Sequence, residues 1–112
     1  MYSYYAQVVQ IIDGDSILCY VDLGFYTYTM VVLRLTGIEL KTPSDTEEEK
    51  REKKAVNFLA DKFKADNHII VETEALEHCI RADIIFDGKT VNDEMEKKRL
   101  LRGTIPDLAV IH

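Results

Sequence analysis

The strongest constraint on the fold is the pattern of the first 35 residues, where three β-rich runs alternate with two short turn signals. Residues 2–12, 16–21 and 25–35 are rich in Tyr, Val, Ile and Thr and contain no proline. Asp13, Gly14 and Asp15 separate the first two runs, and residues 22–24 (Asp-Leu-Gly) separate the second from the third. β-branched and aromatic runs bounded by Asp and Gly predict strands, and such short connections predict an antiparallel meander.

From residue 44 onward the pattern becomes that of a helix. Ser44 and Glu47 have the spacing of a capping box, and acidic residues precede lysines along the segment, as the helix dipole favours. Ala55, Leu59 and Phe63 recur at helical spacing and predict one buried stripe. The charged run before Ala55 is predicted to be a solvated helix face.

The second half of the chain predicts two further strands and a short helix. Residues 68–73 and 81–86 are again β-rich, and Asp87 and Gly88 form a turn signal. Asn92 is predicted to cap a helix that runs through Leu101 and ends at Gly103. This order predicts an α+β, mainly β protein: one domain over residues 1–112, folded as a five-stranded OB barrel. One helix is expected between strands three and four, with a short helix at the C-terminus.

Composition narrows the class of protein. The chain has 14 basic and 20 acidic residues, a formal net charge of −6, which disfavours unspecific binding to nucleic acid. The longest apolar runs fall far short of the roughly 20 residues that span a bilayer, so no membrane association is expected. We see no secretory signal, and two cysteines cannot form a disulfide framework. A cytoplasmic protein is the prediction.

Three separated segments, read together, carry a family resemblance. Residues 12–16 (IDGDS), 33–38 (LRLTGI) and 86–92 (FDGKTVN) resemble the staphylococcal nuclease, or thermonuclease-like, family. Residues 21–25 (VDLGF) are similar to its bacterial and phage members, and the likeness covers about residues 5–102. Each segment alone is a weak signal, whereas their order and spacing are specific. The resemblance implies an OB barrel and, in active members, calcium-dependent hydrolysis of DNA and RNA.

The resemblance assigns roles to residues of two matching segments. Asp15 falls on the metal-binding aspartate, with Asp13 beside it, and Arg34 falls on the first of two arginines that clamp the phosphate. A divalent cation and guanidinium groups would absorb the charge that develops in phosphodiester cleavage. Taken without the resemblance, Asp13 and Asp15 equally fit a turn, and Arg34 an outward-facing strand arginine.

Two further parts of the family's site depart from its pattern. Read without a gap, Glu39 replaces the second metal aspartate and Thr42 stands where the general base should be. With a three-residue deletion, Glu39 is itself the base and one metal ligand is missing. Cys79 falls on the second arginine position, and Arg81 lies two residues further along the strand.

These departures lead to two functional predictions. The first is a barrel with impaired or lost phosphodiesterase activity, retained to bind a protein or single-stranded nucleic acid, with the charge favouring a protein. The alternative is an active calcium-dependent nuclease that uses Asp15, Arg34, Glu39 and Arg81. The six tyrosines are predicted chiefly to pack in the barrel core and at its edges, with base stacking as the alternative.

Overall fold

The strands form one continuous sheet in the computed structural model, which describes residues 2–35, 46–77 and 79–101. The described elements, in chain order, are β1 (Tyr2–Asp13), β2 (Ser16–Gly24), β3 (Thr27–Arg34), α1 (Thr46–Lys62), β4 (His68–Ala75), β5 (Ile80–Phe86), β6 (Lys89–Thr90) and α2 (Val91–Lys97).

The sheet closes on itself to form the predicted barrel. Its strand order is β3-β2-β1-β4-β5-β6, with antiparallel neighbours throughout. β5 also pairs in parallel with β3, where Leu33 faces Ile80 and Arg34 faces Arg81 in register. This pairing joins the ends of a five-stranded ring, and α1 lies between β3 and β4 in the chain. The prediction of an OB-like, mainly β barrel with a short C-terminal helix is confirmed.

The core consists of inward-facing strand residues closed over by both helices. Ile17, Leu33 and Ile84 from three strands are completely or almost completely buried, as are Leu59 of α1 and Met95 of α2. On β2, Cys19 and Val21 are buried and Tyr20 between them is exposed, as expected for a strand with one face on the core. The two helices therefore seal the barrel with their apolar stripes.

The hairpin between β2 and β3 turns two residues later than the sequence pattern predicts. The amide N–H of Gly24 donates to Oδ1 of Asp22 at 2.8 Å, and a bulge between these residues lets the strand pairing continue. The turn falls instead at Phe25 and Tyr26, both in the left-handed region with φ of 55° and 61°. The prediction of a break at residues 22–24 is therefore wrong, because a local side-chain hydrogen bond and a bulge extend β2.

The C-terminal helix also differs from its prediction. Thr90 is the N-cap of α2 and the helix ends at Lys97, so a helix through Leu101 is wrong; Gly103 lies outside the described residues. Asn92 is inside the helix and buried, where its side chain bonds to neighbouring strands instead of capping. Its Oδ1 accepts the N–H of Ile84, and its Nδ2 donates to the carbonyls of Leu35 and Ala82.

The tyrosines are more exposed than expected. Of the six, only Tyr4 packs against the core as a half-buried residue. The other five are exposed: Tyr2, Tyr5, Tyr20, Tyr26 and Tyr28. The prediction of packing in the barrel core is wrong for these five, whereas Tyr20 and Tyr28 stack against each other on the outside of the sheet.

No helix within the described parts of the chain is long and apolar enough to cross a membrane.

Candidate functional site at the Asp-Gly-Asp turn

The turn between β1 and β2 lies directly against helix α1. The amide N–H of Gly14 donates to Oε1 of Glu52 at 2.7 Å, and that of Asp15 donates to Oδ1 of Asp13 at 2.8 Å. A Cβ on Gly14 would lie 2.8 Å from Cβ of Ala55 and 2.9 Å from Oε1 of Glu52. Glycine therefore allows the turn to approach the helix closely enough to bring Glu52 beside the two aspartates.

Three carboxylates converge at this contact. Asp13, Asp15 and Glu52 each offer an oxygen, and these oxygens lie within 4.8 Å of one another. Asp15 is 1% exposed, while Asp13 and Glu52 are half-buried. Carboxylate oxygens are the ligands that calcium prefers, so this acidic triad is the place where a divalent cation would be expected to bind.

A buried arginine already supplies positive charge to the triad. Nη2 of Arg51 lies 3.2 Å from Oδ2 of Asp15, and Nη1 lies 3.4 Å from Oδ1. Nε of the same guanidinium donates to Oε1 of Glu48 at 3.2 Å, and Nη1 also donates to the carbonyl of Leu100. The guanidinium thus engages both oxygens of Asp15 and ties α1 to the chain beyond α2.

Arg51 and Glu52 are site residues that the sequence analysis missed. The prediction of a solvated face before Ala55 is wrong for Arg51, which is buried, and for Glu52, which is half-buried. These residues precede Ala55 by four and three positions, so they continue the stripe of Ala55 and Leu59 by one helical turn. Helical spacing was the available signal, but charge alone suggested solvent.

The two arginines of the expected phosphate clamp lie side by side. Arg34 and Arg81 are register partners in the parallel β3–β5 pairing, and the backbone of Arg34 also faces Ser16, next to Asp15. Arg34 is half-buried and its Nε atom is buried, so it is not an outward-facing strand arginine in solvent. The closure of the barrel therefore brings the backbones of these two arginines together on neighbouring strands.

Arg81 has an acidic partner on its own strand. Its Nη2 donates to Oδ1 of Asp83 at 2.8 Å, and both side chains are about one quarter exposed. Residues two apart on a strand share one face, which explains the contact. Glu39, the predicted base or second metal ligand, lies outside the described residues, as do Thr42 and His78.

Within the residues that the structure describes, the donor set fits a calcium ion poorly. Calcium takes six to eight oxygen ligands. Both oxygens of Asp15 face the Arg51 guanidinium, and one oxygen each of Asp13 and Glu52 accepts a backbone N–H. A cation at the triad would compete with a guanidinium that is already buried there. Among the described residues, the hydrogen bonds and the ion pair hold the turn to the helix.

The cysteine in the barrel core is not suited to act as a nucleophile. Cys19 is fully buried on β2, and burial raises the pKa of its thiol to about 12. The nucleophilic form of cysteine is the thiolate, so Cys19 stays protonated and unreactive near neutral pH.

No known protein-family model matches this chain, and no curated protein is detectably similar to it in sequence. The likeness to the staphylococcal nuclease family therefore stays a prediction from the three sequence segments.

The close approach of Gly14 to α1 leads to a prediction about stability. Gly14→Ala is expected to lower the free energy of unfolding by about 1–3 kcal/mol, because the new methyl group must displace Ala55 and Glu52. Ala55→Gly costs about 1 kcal/mol in helix propensity but removes one clashing atom. Urea unfolding should therefore show that the double variant loses less than the sum of the two single losses. Strict additivity would contradict the close contact.

Proposed function

We propose that this protein is a nuclease-like OB barrel in which phosphodiesterase activity is impaired or lost and the fold is retained as a binding module. The observation that carries the proposal is the ion pair between Arg51 and Asp15, two side chains that are both almost completely buried. In the resemblance Asp15 is the metal ligand. A carboxylate that neutralises a buried guanidinium is a weak ligand for a second cation.

Protein is the favoured ligand class. The formal charge of −6 opposes association with a polyanion, whose affinity comes mainly from neutralised phosphates. Arg81 is paired with Asp83, so its charge is partly compensated before any phosphate arrives. Single-stranded nucleic acid is the second ligand class that this proposal admits.

The test is cleavage of single-stranded DNA with calcium or with a chelator, comparing the wild type with Arg34→Ala. We expect no calcium-dependent cleavage above the protein-free control, and no heat of calcium binding in a titration. An active calcium-dependent nuclease serves as the positive control for the assay. Cleavage that needs calcium and disappears in Arg34→Ala would refute the proposal.

An active nuclease is the second candidate, and one observation favours it. Arg34 and Arg81 are neighbours across the β3–β5 pairing, at the same end of β3 as the acidic triad. Two arginines on neighbouring strands could both reach the oxygens of one phosphoryl group, which guanidinium groups bind well. Calcium binding that weakens in Asp15→Ala, together with cleavage, would establish this candidate. Tight binding of an oligonucleotide without cleavage would instead identify a nucleic-acid-binding module.

A further inference from the structure

The outer side of the β1–β2–β3 sheet carries several exposed aromatic and aliphatic side chains that the acidic site does not use. Tyr20 faces Met30 in register across β2 and β3, and the rings of Tyr20 and Tyr28 stack with centroids 5.0 Å apart and planes 9° from parallel. We name this surface the aromatic face and include in it the exposed side chains of Tyr5, Tyr20, Tyr28, Met30 and Val32 and the hairpin tip, Phe25 and Tyr26.

The hairpin tip is the most exposed part of this face. Phe25 is 99% exposed and Tyr26 is 97% exposed. Both have positive φ values, which bulky residues adopt only at a cost, whereas Asn and Gly fit such a two-residue turn well. Two large aromatic residues therefore stand in solvent at positions that favour small ones, so the stability of the free chain does not account for them.

Charge decides which partner fits the aromatic face. Residues 2–33 contain no Lys, Arg or His, and Asp22 is the only charged residue between Ser16 and Arg34. Nucleic acids and anionic lipid surfaces bind through basic side chains, so both are poor occupants. A second copy of this acidic chain would meet repulsion over most of its surface, whereas each aromatic face carries one carboxylate, that of Asp22, whose Oδ1 accepts the N–H of Gly24.

The area is sufficient for a stable contact. The exposed part of the aromatic face is roughly 900 Å², taking a fully exposed aromatic side chain as about 200 Å². The largest apolar patch of a typical monomer is about 300–600 Å², and a standard interface buries about 800 Å² per partner.

We infer that the aromatic face is a self-association surface, through which two copies of the chain pack sheet against sheet in a symmetric dimer. A two-fold interface uses the same patch on both subunits, and a mainly apolar patch is complementary to itself. Sheets that pack in this way interdigitate the side chains of their facing sides. The inference does not rest on the proposed loss of catalysis, because the hairpin tip and the acidic triad lie at opposite ends of β2, about 27 Å apart along the strand.

Sedimentation equilibrium of the full chain over a range of concentrations tests this inference. Met30→Glu places a like charge at the centre of both copies of the face, and Ile12→Glu is the matched control. The two side chains are similarly exposed, Met30 at 51% and Ile12 at 46%. Met30 lies within the aromatic face, whereas Ile12 lies at the C-terminal end of β1, beside the acidic turn. We expect a wild-type dimer, an association at least tenfold weaker in Met30→Glu, and wild-type association in Ile12→Glu.

A second variant separates loss of association from loss of fold. Phe25→Asn/Tyr26→Gly removes the aromatic tip but supplies the residues that the turn geometry favours, so its melting temperature should equal or exceed that of the wild type. Its association should nevertheless weaken. A wild type that stays monomeric at millimolar concentration, or a Met30→Glu variant that dimerises normally, would overturn the inference. A monomer that binds oligo(dT) and loses this binding in Phe25→Asn/Tyr26→Gly would overturn it in favour of nucleic acid.

Discussion

Substitution of Arg51 by methionine is expected to lower the free energy of unfolding by about 3–5 kcal/mol, because it leaves the buried carboxylate of Asp15 without its compensating charge. Methionine preserves most of the side-chain volume, so the loss reports the guanidinium contacts rather than a cavity. Glu48 and the carbonyl of Leu100 lose their bonds to Arg51 in the same step. Urea unfolding followed by circular dichroism measures the change.

A double variant identifies the source of that loss. Asp15→Asn/Arg51→Met removes the uncompensated charge, and we expect it to be more stable than Arg51→Met alone by at least about 1 kcal/mol. If the double variant is less stable than Arg51→Met, the ion pair is not what holds the turn to α1.

Calcium adds a functional readout to the same variants. With the guanidinium removed, Asp13, Asp15 and Glu52 form an acidic triad without a nearby buried cation, and calcium should raise the melting temperature of Arg51→Met more than that of the wild type. This result would support the proposal that the ion pair with Arg51 makes Asp15 a weak ligand for a second cation. Equal calcium stabilisation of both proteins would count against it.

Substitution of Asn92 by leucine is the second large expected effect. Leucine has a similar size, but it leaves the N–H of Ile84 and the carbonyls of Leu35 and Ala82 buried without the side chain that they contact. Unpaired buried polar groups cost about 1–3 kcal/mol each, so we expect a loss of about 3–4 kcal/mol. Because Asn92 joins α2 to β5 and to the residue after β3, hydrogen exchange at Ile84 should accelerate as well.

The matched control for Asn92 is an exposed asparagine in the other helix. Asn57→Leu in α1 removes no buried hydrogen bond, and its effect should stay within about 0.5 kcal/mol. Similar losses in both variants would show that the asparagine contacts to β5 and Leu35 contribute little to stability.

The sequence predicted the architecture because strands and helices leave local, periodic signals. Alternation along β1 and β2, the helical spacing of Ala55 and Leu59, and the Asp87–Gly88 turn each follow from the neighbours along the chain. The hairpin between β2 and β3 shows where local signals fail. A bulge and a bond between the side chain of Asp22 and Gly24 moved the turn to Phe25 and Tyr26, and a residue pattern does not encode bulges reliably.

Only part of the candidate site could be predicted from the sequence, because contacts between distant parts of the chain leave no local signal. Asp13, Asp15 and Arg34 stand in short motifs, so spacing alone singled them out. The pairing of Arg34 with Arg81 depends on barrel closure between strands about 47 residues apart, and Arg51 meets Asp15 only because Gly14 lets α1 approach the turn. The sequence by itself determined an acidic, OB-like barrel and singled out Asp13, Asp15 and Arg34. Only the tertiary structure decided that a buried arginine faces the expected metal ligand. The contact joins residues far apart in the chain, and it forms because the helix face that carries the arginine is the buried one.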